Sequence, residues 1–447
     1  MSKKYFLPKC IVTQNQNREI LRDYVIEVEN GIISNLIPKR QFESSFESNL
    51  EPNFENLVLI PGFIQTHIHL CQTLFRGLAD DLTLLDWLRL KIFPYENAHN
   101  ENSLKSSVKL GIHELQTSGT TTILDMGTIN HQEVTFDELI NSKMRAFSGK
   151  SMIDRNELYP PFKESTDDCL NSSYNLAKEY HQKFNGKIKY GFAPRFVLSC
   201  SEKLLTESYE MLKDFDNALY HTHASENKDE IKTVRDETRK ENVEYFDYLG
   251  LLGSSTVLVH CVHLNNTEIQ AIKNTNTKIV HCPSSNLKLA SGIADIPSLL
   301  NEEIIVSLGS DGAPCNNNLN MFTEMRLSAL IHKLAHGTSV LNANEVFDLA
   351  TINGARTLNL QDKIGSIEVG KKADLVFLDL EKSNQVLTDN DESLYSSIVF
   401  SGGKDNVKHV MIEGEWVVYD GVSSIYEEKE IVGEGKDELI KLLDRVK

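Results

Sequence analysis

Long apolar runs are missing from this chain of 447 residues. No stretch reaches the 18 or so apolar residues that a membrane-crossing helix needs, so no membrane partner is expected. The opening segment, MSKKYFLPKCIVTQNQNREI, has no apolar core long enough for a signal peptide. Cysteine is sparse and unpaired in pattern: seven residues, an odd number, with no C-x-x-C. That argues against a disulfide framework and a thiolate zinc cluster, and fits a reducing cytoplasm. Basic patches are missing too. The formal net charge is −18, and Lys and Arg are scattered. Such a surface repels nucleic acid and anionic membranes. The densest acidic stretch, 426–438, lies near the C-terminus.

What is present is ordinary for a soluble protein. Apolar residues make up 40% and charged residues 25%, enough to build a sizeable core. The length fits one large α/β barrel with an accessory domain.

The first segment reads as a small β-sheet. Cys10-Ile-Val and Tyr24-Val-Ile-Glu-Val are β-rich, and Asn30-Gly31 is a hairpin turn signal. Residues 41–56 are polar and acidic, and read as a loop. From Leu57 short β-rich runs alternate with longer helical ones. The strands expected are 58–69, 121–125, 146–152, 188–194, 218–223, 256–263, 278–282 and 304–310. Helical periods at 103–117, 202–213, 267–273 and 321–333 lie between or after them. Eight β/α alternations predict a (β/α)8 TIM barrel of the α/β class over 57–375. Beyond it, Asp374-Leu-Val-Phe-Leu, Val410-Met-Ile and Gly414-Glu-Trp-Val-Val-Tyr return to β character. Residues 1–56 and 376–447 are therefore expected to form one composite β-sandwich domain beside the barrel. The last residues, 436–447, have a helical period.

The chemistry-bearing side chains sit at C-terminal ends of the expected barrel strands, where barrel enzymes place their active sites. The first strand ends His67-Ile-His69. Side chains alternate along a strand, so both imidazoles point to one side and can share a divalent metal. The fifth carries His221-Thr-His223-Ala-Ser-Glu226, with the same H-x-H spacing. One of its histidines can complete a metal site, with Glu226 beside it as general acid and base. His260 ends the sixth strand and His281 the seventh; either can polarise a substrate or buttress a ligand. Asp311 follows the eighth strand, where a carboxylate can ligate a metal or take a proton from bound water.

The ordered motifs closely resemble the amidohydrolase superfamily, in its branch of purine and triazine aminohydrolases. They are Pro61-Gly-Phe-Ile-Gln-Thr-His-Ile-His-Leu-Cys-Gln-Thr-Leu-Phe-Arg-Gly77, His223-Ala-Ser-Glu226 and Val259-His-Cys-Val-His-Leu264, then His281-Cys-Pro-Ser-Ser-Asn-Leu-Lys-Leu289, Gly309-Ser-Asp-Gly312 and Ile364-Gly-Ser-Ile-Glu-Val-Gly-Lys-Lys-Ala-Asp-Leu375. The resemblance implies one divalent metal ion, zinc or less commonly iron, on His67, His69, His223 and Asp311. His221 matches no ligand position. Glu226 matches the general acid/base, and His260 the histidine that orients substrate and water. Asp311 would accept a proton from the water and pass it to the leaving ammonia.

For the substrate, the resemblance points in two directions. Gln72 and Arg195 match positions that meet the ring in guanine deaminases. Arg76-Gly-Leu-Ala-Asp-Asp-Leu-Thr-Leu-Leu-Asp-Trp-Leu88 resembles deaminases of 5′-deoxyadenosine, methylthioadenosine and S-adenosylhomocysteine. There an acidic residue before the tryptophan grips the ribose; here it is Asp86, followed by Trp87. Those enzymes usually carry His at the position of Arg195. Arg145 is a further candidate for a nucleoside tail. The expectation is a cytoplasmic, metal-dependent deaminase of a purine base or 5′-modified purine nucleoside. A homodimer or larger homo-oligomer is implied by the resemblance. A triazine-type amino- or chlorohydrolase is the alternative, and a metal-free assembly protein a remote one. The H-x-E with P-C-x-x-C signature of nucleic-acid deaminases is absent.

Overall fold

A computed structural model describes residues 3–42, 49–383, 386–388 and 390–446. The chain divides into two compact units. One takes in Met1–Ile64, His113–Thr122 and Asn320–Ile425, the other Gln65–Ile112, Ile123–Leu319 and Tyr426–Lys447.

The central sheet is a (β/α)8 barrel. Its strands are Phe63–His69, Thr120–Asp125, Arg145–Ser148, Ile188–Pro194, Leu219–Ala224, Thr256–His260 and Lys278–His281, hydrogen-bonded in that order. The eighth comes in two pieces. Val306–Leu308 pairs in parallel with the seventh strand, and Asp311–Gly312 in parallel with the first. That split closes the ring. In the gap, the Gly309 N–H donates to His281 O at 3.1 Å, and the Ser310 N–H to Gln65 Oε1 at 3.2 Å. Runs such as Thr-Val-Leu-Val-His at 256–260 are buried throughout, the pattern of strands covered on both faces.

The expected first strand, 58–69, proves to be two. Val58–Pro61 pairs with Leu375–Leu378 in another sheet, and the barrel strand starts at Phe63. Between them the Gly62 N–H turns to Asp374 O and the Phe63 N–H to Gly119 O, each at 3.0 Å. A Cβ at Gly62 would stand 2.1 Å from Thr121 Oγ1, so only glycine permits this change of partners.

In the unit that takes in Met1–Ile64 and Asn320–Ile425, strands from both of these stretches share a sheet. Among the described residues it runs Val422–Ser423, Glu415–Tyr419, Val407–Ile412, Leu375–Leu378, Val58–Pro61, Cys10–Val12, Ile20–Leu21. A second sheet joins Lys4–Phe6, Tyr24–Glu29 and Ile32–Pro38. Phe6, Ile26 and Ile33 of the second sheet bury against Ile11, Leu59, Phe377 and Met411 of the first, which makes a sandwich. The hairpin expected at Asn30-Gly31 is there, with positive φ at both residues (55° and 77°) as a tight primed turn requires. Of the polar stretch 41–56, residues 43–48 lie outside the described residues.

The last helix, Glu428–Val446, belongs with the barrel unit. Leu442 is fully buried there with Leu74, Phe75 and Tyr95. Arg445 Nε donates to Ala98 O at 2.7 Å. No helix among the described residues is long and apolar enough to cross a membrane.

Candidate active site

Four strand ends deliver one cluster. His67 and His69 come from the first strand, His223 from the fifth, His260 from the sixth and Asp311 from the second piece of the eighth. His67 Nε2 lies 3.2 Å and His69 Nε2 3.4 Å from the same atom, Asp311 Oδ1. The His69 and His223 rings stack at 5.5 Å, almost parallel. The donor atoms of His67, His69 and Asp311 lie within 4.8 Å of one another, as do those of His67, His223 and His260. Burial pushes the imidazoles of His67, His69 and His223 below their ordinary range, which favours the neutral form with a free nitrogen lone pair. Burial also pushes Asp311 up, but the hydrogen bond with His67 holds it well below the usual carboxylate range. Neutral imidazoles around an ionised carboxylate fit a divalent cation in donor type and charge.

The site is held from behind. His221 Nε2 meets His67 Nδ1 at 3.0 Å, so the second H-x-H pair splits its work. His221 holds the ring of His67 in place, while His223 faces the cavity. His223 Nδ1 in turn donates to Arg195 O at 2.7 Å. Asp311 receives the Ser285 hydroxyl on Oδ2 at 2.6 Å and the Gly312 N–H on Oδ1 at 2.7 Å. Buried metal ligands depend on such outer partners for orientation. The backbone contributes as well. Ser225, His260 and Asp311 all have φ in the left-handed region, 53°, 76° and 62°. Each costs about 1–3 kcal/mol in a non-glycine residue and re-aims a side chain at the strand end.

Glu226 stands beside His260, with Oε2 3.4 Å from Nε2. The Ser291 hydroxyl reaches its other oxygen at 3.2 Å. Burial pushes the carboxyl up to about 7, against the pull of His260. The Glu226 N–H is held by Glu230 Oε2 at 2.9 Å. Glu230 is part of the capping box that opens the helix Lys228–Thr238.

His69, His223, Glu226, His260 and Asp311 open on one cavity. Its other walls include Leu84, Trp87, Leu88, Arg195, Phe196 and Leu289. Of the substrate contacts expected from sequence, Trp87 and Arg195 line it. Three do not. Gln72 is buried behind the wall, its Nε2 on Glu96 at 2.7 Å. Asp86 is about half exposed and pairs with Arg89 at 2.8 Å. Arg145 opens the third strand, at the end opposite the site, because a strand's first residue lies at the barrel's other mouth. Glu96, Ser285, Asn286 and Ser291 were given no role by sequence. Ser285 and Asn286 stand inside the motif 281–289, which was the available signal; Glu96 had none.

Residues 58–417 match the model of the amidohydrolase family. This chain belongs to the amidohydrolase family. Among curated relatives, the 5′-deoxyadenosine deaminase of Methanococcus aeolicus is 39% identical over 378 residues, covering 84% of this chain and 85% of that protein. The 5-methylthioadenosine/S-adenosylhomocysteine deaminase of Syntrophomonas wolfei is 32% identical and covers 97% and 98%. Among solved structures, an adenosine deaminase from Xanthomonas campestris with bound zinc is similar at TM-score 0.89, with 27% identity and 98% of each chain covered. This amidohydrolase is an enzyme that hydrolyses carbon–nitrogen bonds, of the deaminase kind.

Proposed function

We propose that this amidohydrolase removes the exocyclic amino group of a 5′-modified adenosine as ammonia. The observation that carries the reading is the convergence of three imidazoles, Asp311 and a protonatable Glu226 on one cavity with apolar walls. The two curated relatives favour adenosines altered at the 5′ position over a free base. Trp87 supports a polar ligand: its Nε1 is buried without a hydrogen-bond partner. A substrate oxygen or nitrogen there would remove the cost of an unsatisfied donor.

His67, His69, His223 and Asp311 would hold one divalent cation, zinc first. When bound, it supplies the Lewis acidity that lets water lose a proton near neutral pH. Asp311 takes that proton, on a carboxylate kept ionised by its imidazole neighbours. Glu226, protonated in part at neutral pH, gives its proton to the ring nitrogen beside the amino-bearing carbon. That carbon is a poor electrophile until this happens. His260 stands between the two carboxylates, Nε2 3.4 Å from Glu226 and 3.9 Å from Asp311 Oδ2, and orients the attacking oxygen. The proton on Asp311 then leaves with the amine as ammonia. The second proton of the water returns to Glu226, and the ring keeps the one Glu226 delivered. A water molecule is consumed, and a lactam and ammonia result.

The test is ammonia release from adenosine, 5′-deoxyadenosine, methylthioadenosine, S-adenosylhomocysteine and guanine, compared by kcat/KM. The expected order puts a 5′-modified adenosine first. Turnover of guanine alone would overturn the nucleoside reading. Metal analysis should find about one equivalent per chain, and Asp311→Asn should abolish turnover. A purified, folded, metal-free protein with full activity would overturn the cation's role.

A further inference from the structure

The short helix Phe93–Asn97 grips Arg195 on two sides. Phe93 and Glu96 are three residues apart, which puts them on one helical face. The guanidinium carbon of Arg195 lies over the Phe93 ring, Cζ 5.2 Å from its centroid. Glu96 takes the edge. Arg195 Nη1 donates to its Oε2 at 2.8 Å, and Nη2 to its Oε1 at 3.2 Å. Gln72 Nε2 adds a third donor to Oε1 at 2.7 Å. The Glu96 side chain is 0% exposed and that of Arg195 3%. Removed from water, a bidentate fork is strongly directional.

Arg195 also forms part of the cavity wall. A guanidinium has five N–H donors and no acceptor, and Glu96 engages one on each terminal nitrogen. The donors that remain can only meet an acceptor: a bare ring nitrogen, a carbonyl or a sugar oxygen. Their direction is set by the clamp, because the two-point pairing with Glu96 orients the guanidinium.

We infer that Glu96 is a positioning residue for substrate recognition, acting through Arg195, with Phe93 and Gln72 completing the clamp. The inference rests on the reading of this cavity as the purine site. Without the carboxylate, Arg195 becomes a buried cation with no counter-charge and is free to turn away.

A double-mutant cycle on the holoenzyme tests this. Glu96→Gln keeps the shape and removes the charge. We expect it to raise KM by about tenfold or more, as loss of a buried charged partner does, with kcat within about threefold. In an Arg195→Ala background the same change should move KM by less than about twofold. Additive effects on KM, or a fall in kcat with KM unchanged, would overturn the inference. Gln72→Ala gives a separate route should Glu96→Gln not fold. Its expected rise in KM, about threefold, should vanish in the Arg195→Ala background; a wild-type KM in Gln72→Ala would also overturn it. The cycle is run on whichever amino-purine the wild-type enzyme converts fastest. Failure to convert any adenosine then counts against the substrate reading, and the clamp is still tested.

Discussion

His260 donates from Nδ1 to the side-chain oxygen of Asn286 at 2.9 Å, and this bond turns its Nε2 toward Glu226. The ring nitrogens of histidine are distinct, and the partner of one sets the role of the other. Asn286 follows the seventh strand, 26 residues from the histidine it orients. Asn286→Ala should lower kcat about ten- to a hundredfold, the usual effect of losing an outer partner. Metal content should stay at the wild-type value, since His260 is not among the four proposed ligands. Steady-state kinetics beside metal analysis reads both. Loss of metal would show that Asn286 serves the cation instead.

Glu226 sets a pH dependence. Its carboxyl is pushed by burial to about 7, so the proton-donating form prevails below that pH and is lost as pH rises through it. Under the proposed mechanism kcat/KM should decline above about pH 7. Glu226→Gln should lower kcat by about 10²–10⁴ and remove that limb of the profile. The same shift acts on stability. The native state holds this proton between pH 4.5 and about 7, where an unfolded chain has released it. The contribution is therefore complete below pH 4.5 and is lost as pH rises through about 7. Denaturant titrations of wild type and Glu226→Gln at pH 5 and pH 8 check the sign: stability should fall less between those pH values in the variant.

Trp87 lines the cavity, and its indole N–H is buried with no hydrogen-bond partner. Trp87→Phe keeps most of the apolar wall and removes the donor. KM should rise about three- to tenfold, the value of one hydrogen bond to a ligand. An unchanged KM would show that the indole serves packing alone, against Leu84, Leu88 and Phe196.

Leu442 reaches the barrel unit from the end of the chain. It is fully buried against Leu74, Phe75 and Tyr95. Leu442→Ala should cost about 2–5 kcal/mol in a denaturant titration. Tyr95 belongs to the same short helix as Phe93 and Glu96. A looser helix should therefore raise KM as well, and kinetics on the folded variant would show it.

Much of the barrel was legible because its signals are local. A buried parallel strand reads as an apolar run, and the chain repeats that run with helices between. The first strand was misjudged at one end. Residues 58–64 are apolar throughout, and nothing in that run says the chain leaves one sheet for another at Gly62. The approach of Thr121 decides it, and that contact is between residues 59 positions apart. The docking of the last helix was equally hidden. Its period announces a helix, but not that Leu442 lies beside Phe75 and Tyr95.

For the site, the two H-x-H pairs were determined by the sequence itself. A strand's period of two puts both imidazoles of a pair on one side, whatever the rest of the fold does. Sequence order also placed Glu226, His260 and Asp311 at strand ends that a closed barrel brings to one mouth. The rest was decided by tertiary structure. His67 and His221, from different strands, meet at 3.0 Å, while His69 and His223 line the cavity. Asp86 turns to solvent and pairs with Arg89, while Arg195 turns inward to a carboxylate 99 residues away. Whether an ionisable side chain faces water or substrate depends on which counter-charge lies within reach after folding, and no local pattern carries that distance.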